Sequence, residues 1–243
     1  MSPTRRIAAV TGVFFLITFI TSIPAKLLYD SVLNHSGYMA GAGSNTSLLL
    51  GAFLELILII ANIGTAVVLF PILKRQSEAA SLGFVTARIV ESAFIAVGIL
   101  SVLAIVTLRQ HGAGATAGSL SAVGQSLKAI HDWTFRLGPG FVVGVGNGLL
   151  LGYLMYRSGL MPRGMAMLGL IGGPLVIASG IAVLFGGIQP GGAAQNIATV
   201  PEILWELSLG LYLTIKGFKP SPITAVDAVV RIPESATAER AGV

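Results

Sequence analysis

Glu55, Arg88, Glu91, Arg136 and Glu206 stand inside stretches of sequence that are otherwise apolar, and His131 and Asn147 accompany them. Carboxylates and guanidinium groups in such surroundings can neutralise one another, carry protons or hold a charged solute, and an imidazole beside a carboxylate can act as acid or base. Spacing limits who can meet whom. Arg88 and Glu91 are three residues apart, on one face of a helix, where they either pair or point together at a neighbour. Arg136 and Asn147 return to within about 20° of one face at 100° per residue, about 16 Å of rise apart. Glu55 and Asn62, two helical turns apart, likewise share a face. Depth along the chain makes Glu206 the expected counter-ion of Arg136. Glu55, Glu91 and Glu206 then outnumber Arg88 and Arg136, so one carboxylate is left to be protonated, hydrated or matched by a cationic ligand.

Nearby polar residues have ordinary explanations. Asp132 can pair with Arg136 four residues on. Thr199-Val200-Pro201-Glu202 fits a capping box that assigns Glu202 to a helix start. His131 has no second histidine at membrane depth, since His35 and His111 fall in loops, so neither a bound metal nor a haem is expected. With no cysteine there is no disulfide, thiolate ligand or catalytic thiol. Nucleophile-elbow, zinc-protease, phosphate-loop and dinucleotide motifs are also absent, leaving only Glu and His for any acid-base enzyme. No cofactor is expected.

The elements that carry these residues are set by the solvent. Charged residues are 10% of the 243 and AVILMFWYC residues 54%, against about a quarter charged in a soluble domain. Runs long enough to cross a bilayer occur at Ile7–Leu28, Leu48–Leu73, Ser81–Leu108, Lys128–Tyr156, Met165–Gly187 and Ile197–Phe218. The expected fold is an all-α polytopic bundle of about six transmembrane spans over residues 1–219. Residues 220–243, rich in proline and charge and without apolar periodicity, are expected to be a disordered tail. Arg5, Arg6, Lys74, Arg75, Arg157, Arg163, Lys216 and Lys219 flank the spans on one side, against Lys26, Arg109 and Lys128 on the other. The positive-inside rule therefore puts both termini in the cytoplasm. Arg5, Arg6 and the Ile23-Pro24-Ala25 end resemble a signal peptide, yet the apolar run exceeds the usual length, so the first span is expected to be retained. The scattered basic residues make no patch, so the partner is the lipid bilayer and not nucleic acid.

In the fourth span Gly140, Gly144, Gly148 and Gly152 recur every four residues and invite a neighbouring helix to approach. Pro139 should kink that helix and free a carbonyl.

Ala87-Arg88-Ile89-Val90-Glu91, His131 with Leu137-Gly138, Asn147-Gly148 leading to Ser158-Gly159-Leu160-Met161-Pro162-Arg163, and Pro201-Glu202-Ile203-Leu204-Trp205-Glu206 ending in Lys216-Gly217-Phe218 occur in that order. In these features the chain resembles the bacterial membrane family catalogued as domain of unknown function 4386. The resemblance implies a bacterial inner-membrane protein and supplies no activity or substrate. The expected function is binding or transport of a small polar or charged solute in a cavity lined by Arg88, Glu91, Arg136, Asn147 and Glu206, with Glu55 and His131 nearby. A non-catalytic scaffold with buried ion pairs and an intramembrane acid-base enzyme are the alternatives.

Overall fold

Hydrocarbon offers no partner for a peptide group, so an apolar chain satisfies its backbone within helices. The computed structural model describes residues 1–34, 38, 44–111 and 116–229, and these form helices joined by short turns, with no strand among the described residues. The elements are α1 (Pro3–Leu33), α2 (Asn45–Leu73), α3 (Glu78–His111), α4 (Ala117–Leu137), α5 (Gly152–Ser158), α6 (Arg163–Leu184), α7 (Ala193–Ile215) and α8 (Pro222–Val229). Two π-helical stretches, Gly138–Val142 and Gly144–Leu151, join α4 to α5, so that one long rod runs from Gly118 to Ser158. That rod begins before Lys128, and the connection before it is therefore part of the same helix.

Among the described residues five helical segments are long and apolar enough to cross a membrane: Pro3–Leu33, Asn45–Leu73, Glu78–His111, Gly118–Ser158 and Arg163–Leu184. The protein is a multi-pass membrane protein. α7, with 23 residues, packs between α1 and α6 and carries Glu202 and Glu206. α1 packs chiefly on α2 and α7, α2 on α3, and the rod fits between α3 and α6.

The basic flanks meet at one end of the bundle. Arg5 reaches across from α1 to the last turn of α7, donating from Nη1 to the Leu213 carbonyl at 3.1 Å and from Nη2 to those of Thr214 and Ile215 at 2.7 and 3.0 Å. Helix ends leave such carbonyls unpaired, and a cation there also suits the helix dipole. α7 stops at this point because Gly217 takes a φ of 79°, the left-handed conformation that terminates helices. Arg5→Ala is expected to lower stability by about 1–2 kcal/mol, since the charged hydrogen bonds are half-exposed, and a drop in the melting temperature of the detergent-solubilised protein checks it. Nearby, the Lys219 amide donates to the Leu160 carbonyl at 2.7 Å and Arg75 Nη1 to that of Ile223 at 3.0 Å.

The tail differs from its expectation at the start: residues 222–229 form α8, held by Ser221 Oγ donating to the Ser158 carbonyl at 2.5 Å. Local capping and tertiary hydrogen bonds order a stretch whose composition gives no apolar period. Residues 230–243 lie outside the described residues.

Buried apolar side chains form three clusters. At the basic end Phe15, Leu69, Phe84, Leu151, Met155 and Trp205 are among those packed together. At the opposite end Tyr29, Tyr38, Leu48, Val102 and Ile105 do the same. Ala52, Leu58, Ile95 and Ile99 make a smaller cluster on α2 and α3.

Candidate functional site

A guanidinium in the hydrocarbon layer needs an acceptor for each donor it turns inward. Arg88, 2% exposed, finds them on two helices. Its Nη1 donates to Glu91 Oε2 at 2.7 Å, Nη2 to Asn62 Oδ1 at 2.8 Å and Nε to Thr65 Oγ1 at 3.3 Å. Asn62 Nδ2 closes the ring by donating to Glu91 Oε1 at 3.3 Å, and the Phe15 ring of α1 lies 5.7 Å from the guanidinium. The i,i+3 pair thus neutralises itself within α3, and α2 supplies the neutral partners.

A second acidic group stands on α7. Glu202 is 2% exposed and neither of its oxygens has a hydrogen-bond partner. Around it are glycines: a Cβ on Gly148 or on Gly172 would sit 2.8 Å from Glu202 Oε2, so only glycine leaves the carboxylate its space. One turn along α7, Glu206 accepts from Asn147 Nδ2, while Asn147 Oδ1 is buried and unpartnered. The Asn147 carbonyl, within a π-helical stretch, accepts from Trp205 Nε1 at 2.9 Å. The same carbonyl also accepts the Gly152 backbone N–H within that stretch, so it serves both its own helix and the indole of α7. Glu206, Arg88 and Glu91 lie within electrostatic range of Glu202. Glu202 and Glu206 thus add two carboxylates to the neighbourhood of a guanidinium that already serves Glu91. The unpartnered atoms of Glu202 and Asn147 are all acceptors.

Glu55 and His131 form a separate group towards the opposite end. Tyr29 OH donates to Glu55 Oε2 at 2.9 Å, and the His131 ring meets the Tyr29 ring edge-on with centroids 5.0 Å apart. His131 Nδ1 lies 3.6 Å from Asp132 Oδ1. Leu58, Ile95 and Ile99 occupy the helical turns between this group and the Arg88 network.

Three pairings expected from the sequence do not form. Arg136 does not meet Glu206; it lies over the Trp133 ring at 4.9 Å. Depth is only one coordinate of a helix position, and the two side chains differ in direction around their axes. Nor do Arg136 and Asn147 share a stripe, because the π-helical turns between them take more residues each and shift the phase. Asp132 pairs with Lys128, one turn before it, at 2.8 Å, and not with Arg136. Glu202 caps nothing: α7 starts at Ala193, so Thr199 lies inside the helix and donates to the Gln195 carbonyl at 2.8 Å. Glu202 is the site residue that sequence reasoning set aside, although its spacing of four from Glu206 puts it on the same face. The expected glycine contacts do occur at Gly144, Gly148 and Gly152, which abut α6.

A cavity of about 140 Å³ lies beside Arg136 and does not include the acids. Among the described residues no three His, Asp or Glu side chains converge as metal ligands.

An all-helical multi-pass bundle with an acid-rich polar core is the class of protein these features define. The chain belongs to the family described as Domain of unknown function (DUF4386), whose model matches residues 10–217 and so includes every site residue above. No curated protein and no solved structure matches it.

Proposed function

We propose that the protein binds a small cationic solute at Glu202, Glu206 and Asn147 and carries it across the membrane. The observation behind this reading is the excess of acceptors: Glu202 Oε1 and Oε2 and Asn147 Oδ1 are buried without donors, and the nearby cation Arg88 is committed to Glu91, Asn62 and Thr65. An ammonium group brings one positive charge and several donors, the complement of what the site lacks. α7, about 35 Å long at 1.5 Å per residue, serves as the sixth span and brings both acids to mid-depth. Both termini face the cytoplasm by the charge count, and α1 is kept, since Thr11 and Phe15 are fully buried in the bundle. The family resemblance favours a bacterial inner membrane.

The second reading is a scaffold in which the acids only fix helix packing. The closed Arg88 network favours it. The two readings part in proteoliposomes given radiolabelled methylammonium. Saturable uptake that falls at least about tenfold in Glu206→Gln, the loss of roughly one charge-assisted hydrogen bond, supports transport. Uptake no higher than in protein-free vesicles supports the scaffold, and saturable uptake unchanged in the variant overturns the assignment of the site to Glu206.

A further inference from the structure

Arg136 is left over from the proposed cation site, and its surroundings suggest a different ligand. It lies where α4 meets the first π-helical stretch, near the end of α6 and the start of α7, which places it at the end of the bundle opposite the basic flanks. Among the described residues no carboxylate pairs with it. Asp132, one turn away, is held by Lys128 at 2.8 Å and lies 3.6 Å from His131 Nδ1. What Arg136 has instead is the face of Trp133 at 4.9 Å and a cavity of about 140 Å³ lined by Leu137, Phe141, Ile181 and Leu184 among others.

A charge at the mouth of an apolar recess calls for an amphiphile with an anionic head. Ile181 and Leu184 are exposed on the helix surface, 44% and 53%, so the recess opens sideways to lipid. Trp133, 38% exposed, is the residue type that collects at the bilayer interface, where phosphates reside. We infer that this recess binds one anionic phospholipid, its phosphate on the Arg136 guanidinium and the upper part of an acyl chain against Leu137, Phe141 and Ile181. Arginine matches a phosphodiester with two parallel donors, and stacking on Trp133 holds the fork in place. At about 140 Å³ the recess takes a short length of chain and not a whole lipid. This site is independent of solute binding at Glu202 and Glu206.

The two tryptophans make a direct test possible. Trp205 is fully buried, whereas Trp133 borders the recess, so bromine on an acyl chain quenches mainly Trp133. The full-length protein in phosphatidylcholine micelles is titrated with phosphatidylglycerol brominated in its upper chain, and in parallel with brominated phosphatidylcholine. The wild type is expected to favour phosphatidylglycerol by about fivefold or more, the effect of one cation near an anionic lipid. Arg136→Gln should bring the ratio near one. Arg157→Gln, which removes an exposed cation at the basic end, should leave it unchanged. Ile181→Phe, which narrows the recess at a lipid-facing position, should weaken phosphatidylglycerol binding with Arg136 intact. No preference in the wild type, preference retained in Arg136→Gln, or phosphatidylglycerol binding undiminished in Ile181→Phe overturns the proposal. Equal loss in Arg157→Gln assigns the preference to overall surface charge and overturns it too. Stronger quenching by brominated oleate than by phosphatidylglycerol overturns the choice of a phospholipid.

Discussion

Arg88→Leu is expected to be among the most damaging single changes in the protein, lowering its stability by about 3 kcal/mol. The loss does not come from the missing attraction alone. Glu91, 5% exposed, would be left with only the 3.3 Å amide contact from Asn62, and Asn62 Oδ1 would lose its donor. Removing one partner of a buried pair costs about 3–5 kcal/mol, and the lower figure applies because separated spans in a bilayer also find partners for their polar groups. The double change Arg88→Leu with Glu91→Leu should recover most of the stability, since it removes both charges together. Melting temperatures of the purified variants in one detergent check this. A double variant no more stable than Arg88→Leu would show that the network holds the helices through its geometry and not by neutralising charge.

Gly148→Val should do comparable harm for a different reason. A Cβ at this position overlaps Gly173 Cα of α6 and comes within 2.8 Å of both Gly173 N and Glu202 Oε2. Backbone cannot rotate out of the way as a side chain can, so the rod and α6 must separate. Overpacking costs about 1–3 kcal/mol where side chains can adjust, and a valine against backbone belongs at or above the top of that range. Gly164, near the start of α6, has nothing within 4 Å of its built Cβ, and Gly164→Ala should be neutral or stabilise by about 0.4–1 kcal/mol. Size-exclusion profiles and melting temperatures of the two variants, compared side by side, test the contrast.

These two positions show what the sequence makes legible. Spacing alone puts Arg88 with Glu91, because both partners sit on one helix whose geometry is known in advance. The glycine series predicts close contact with a neighbouring helix, since a missing side chain has few other uses there. Hydropathy locates four of the five crossing segments to within a turn or two and starts the remaining one, Gly118–Ser158, ten residues late. Pairings between helices are another matter. Glu206 and Arg136 agree in depth, yet the direction of a side chain around its helix axis depends on packing, and in this protein also on π-helical turns that Pro139 only hints at. The misassignment of Glu202 has a smaller cause. A capping box requires a helix start, and Thr199 lies close to the start of the apolar run at Ile197, whereas α7 itself begins at Ala193. Placing that start six residues late converts a buried acid into an end group.

The clamp between Arg5 and the last turn of α7 bears on how the bundle is made. α1 is synthesised before α7, yet its Arg5 holds the carbonyls of the last turn of α7, so the ring of helices closes only after α7 has left the ribosome. Until then the face that will receive Glu202 and Glu206 has no α7 to cover it. Arg88 must enter the lipid during that interval without those acids, and its partner three residues along the same helix travels with it. The cation is thus neutralised at the moment of insertion, and the two glutamates join a core whose own charge balance is already complete.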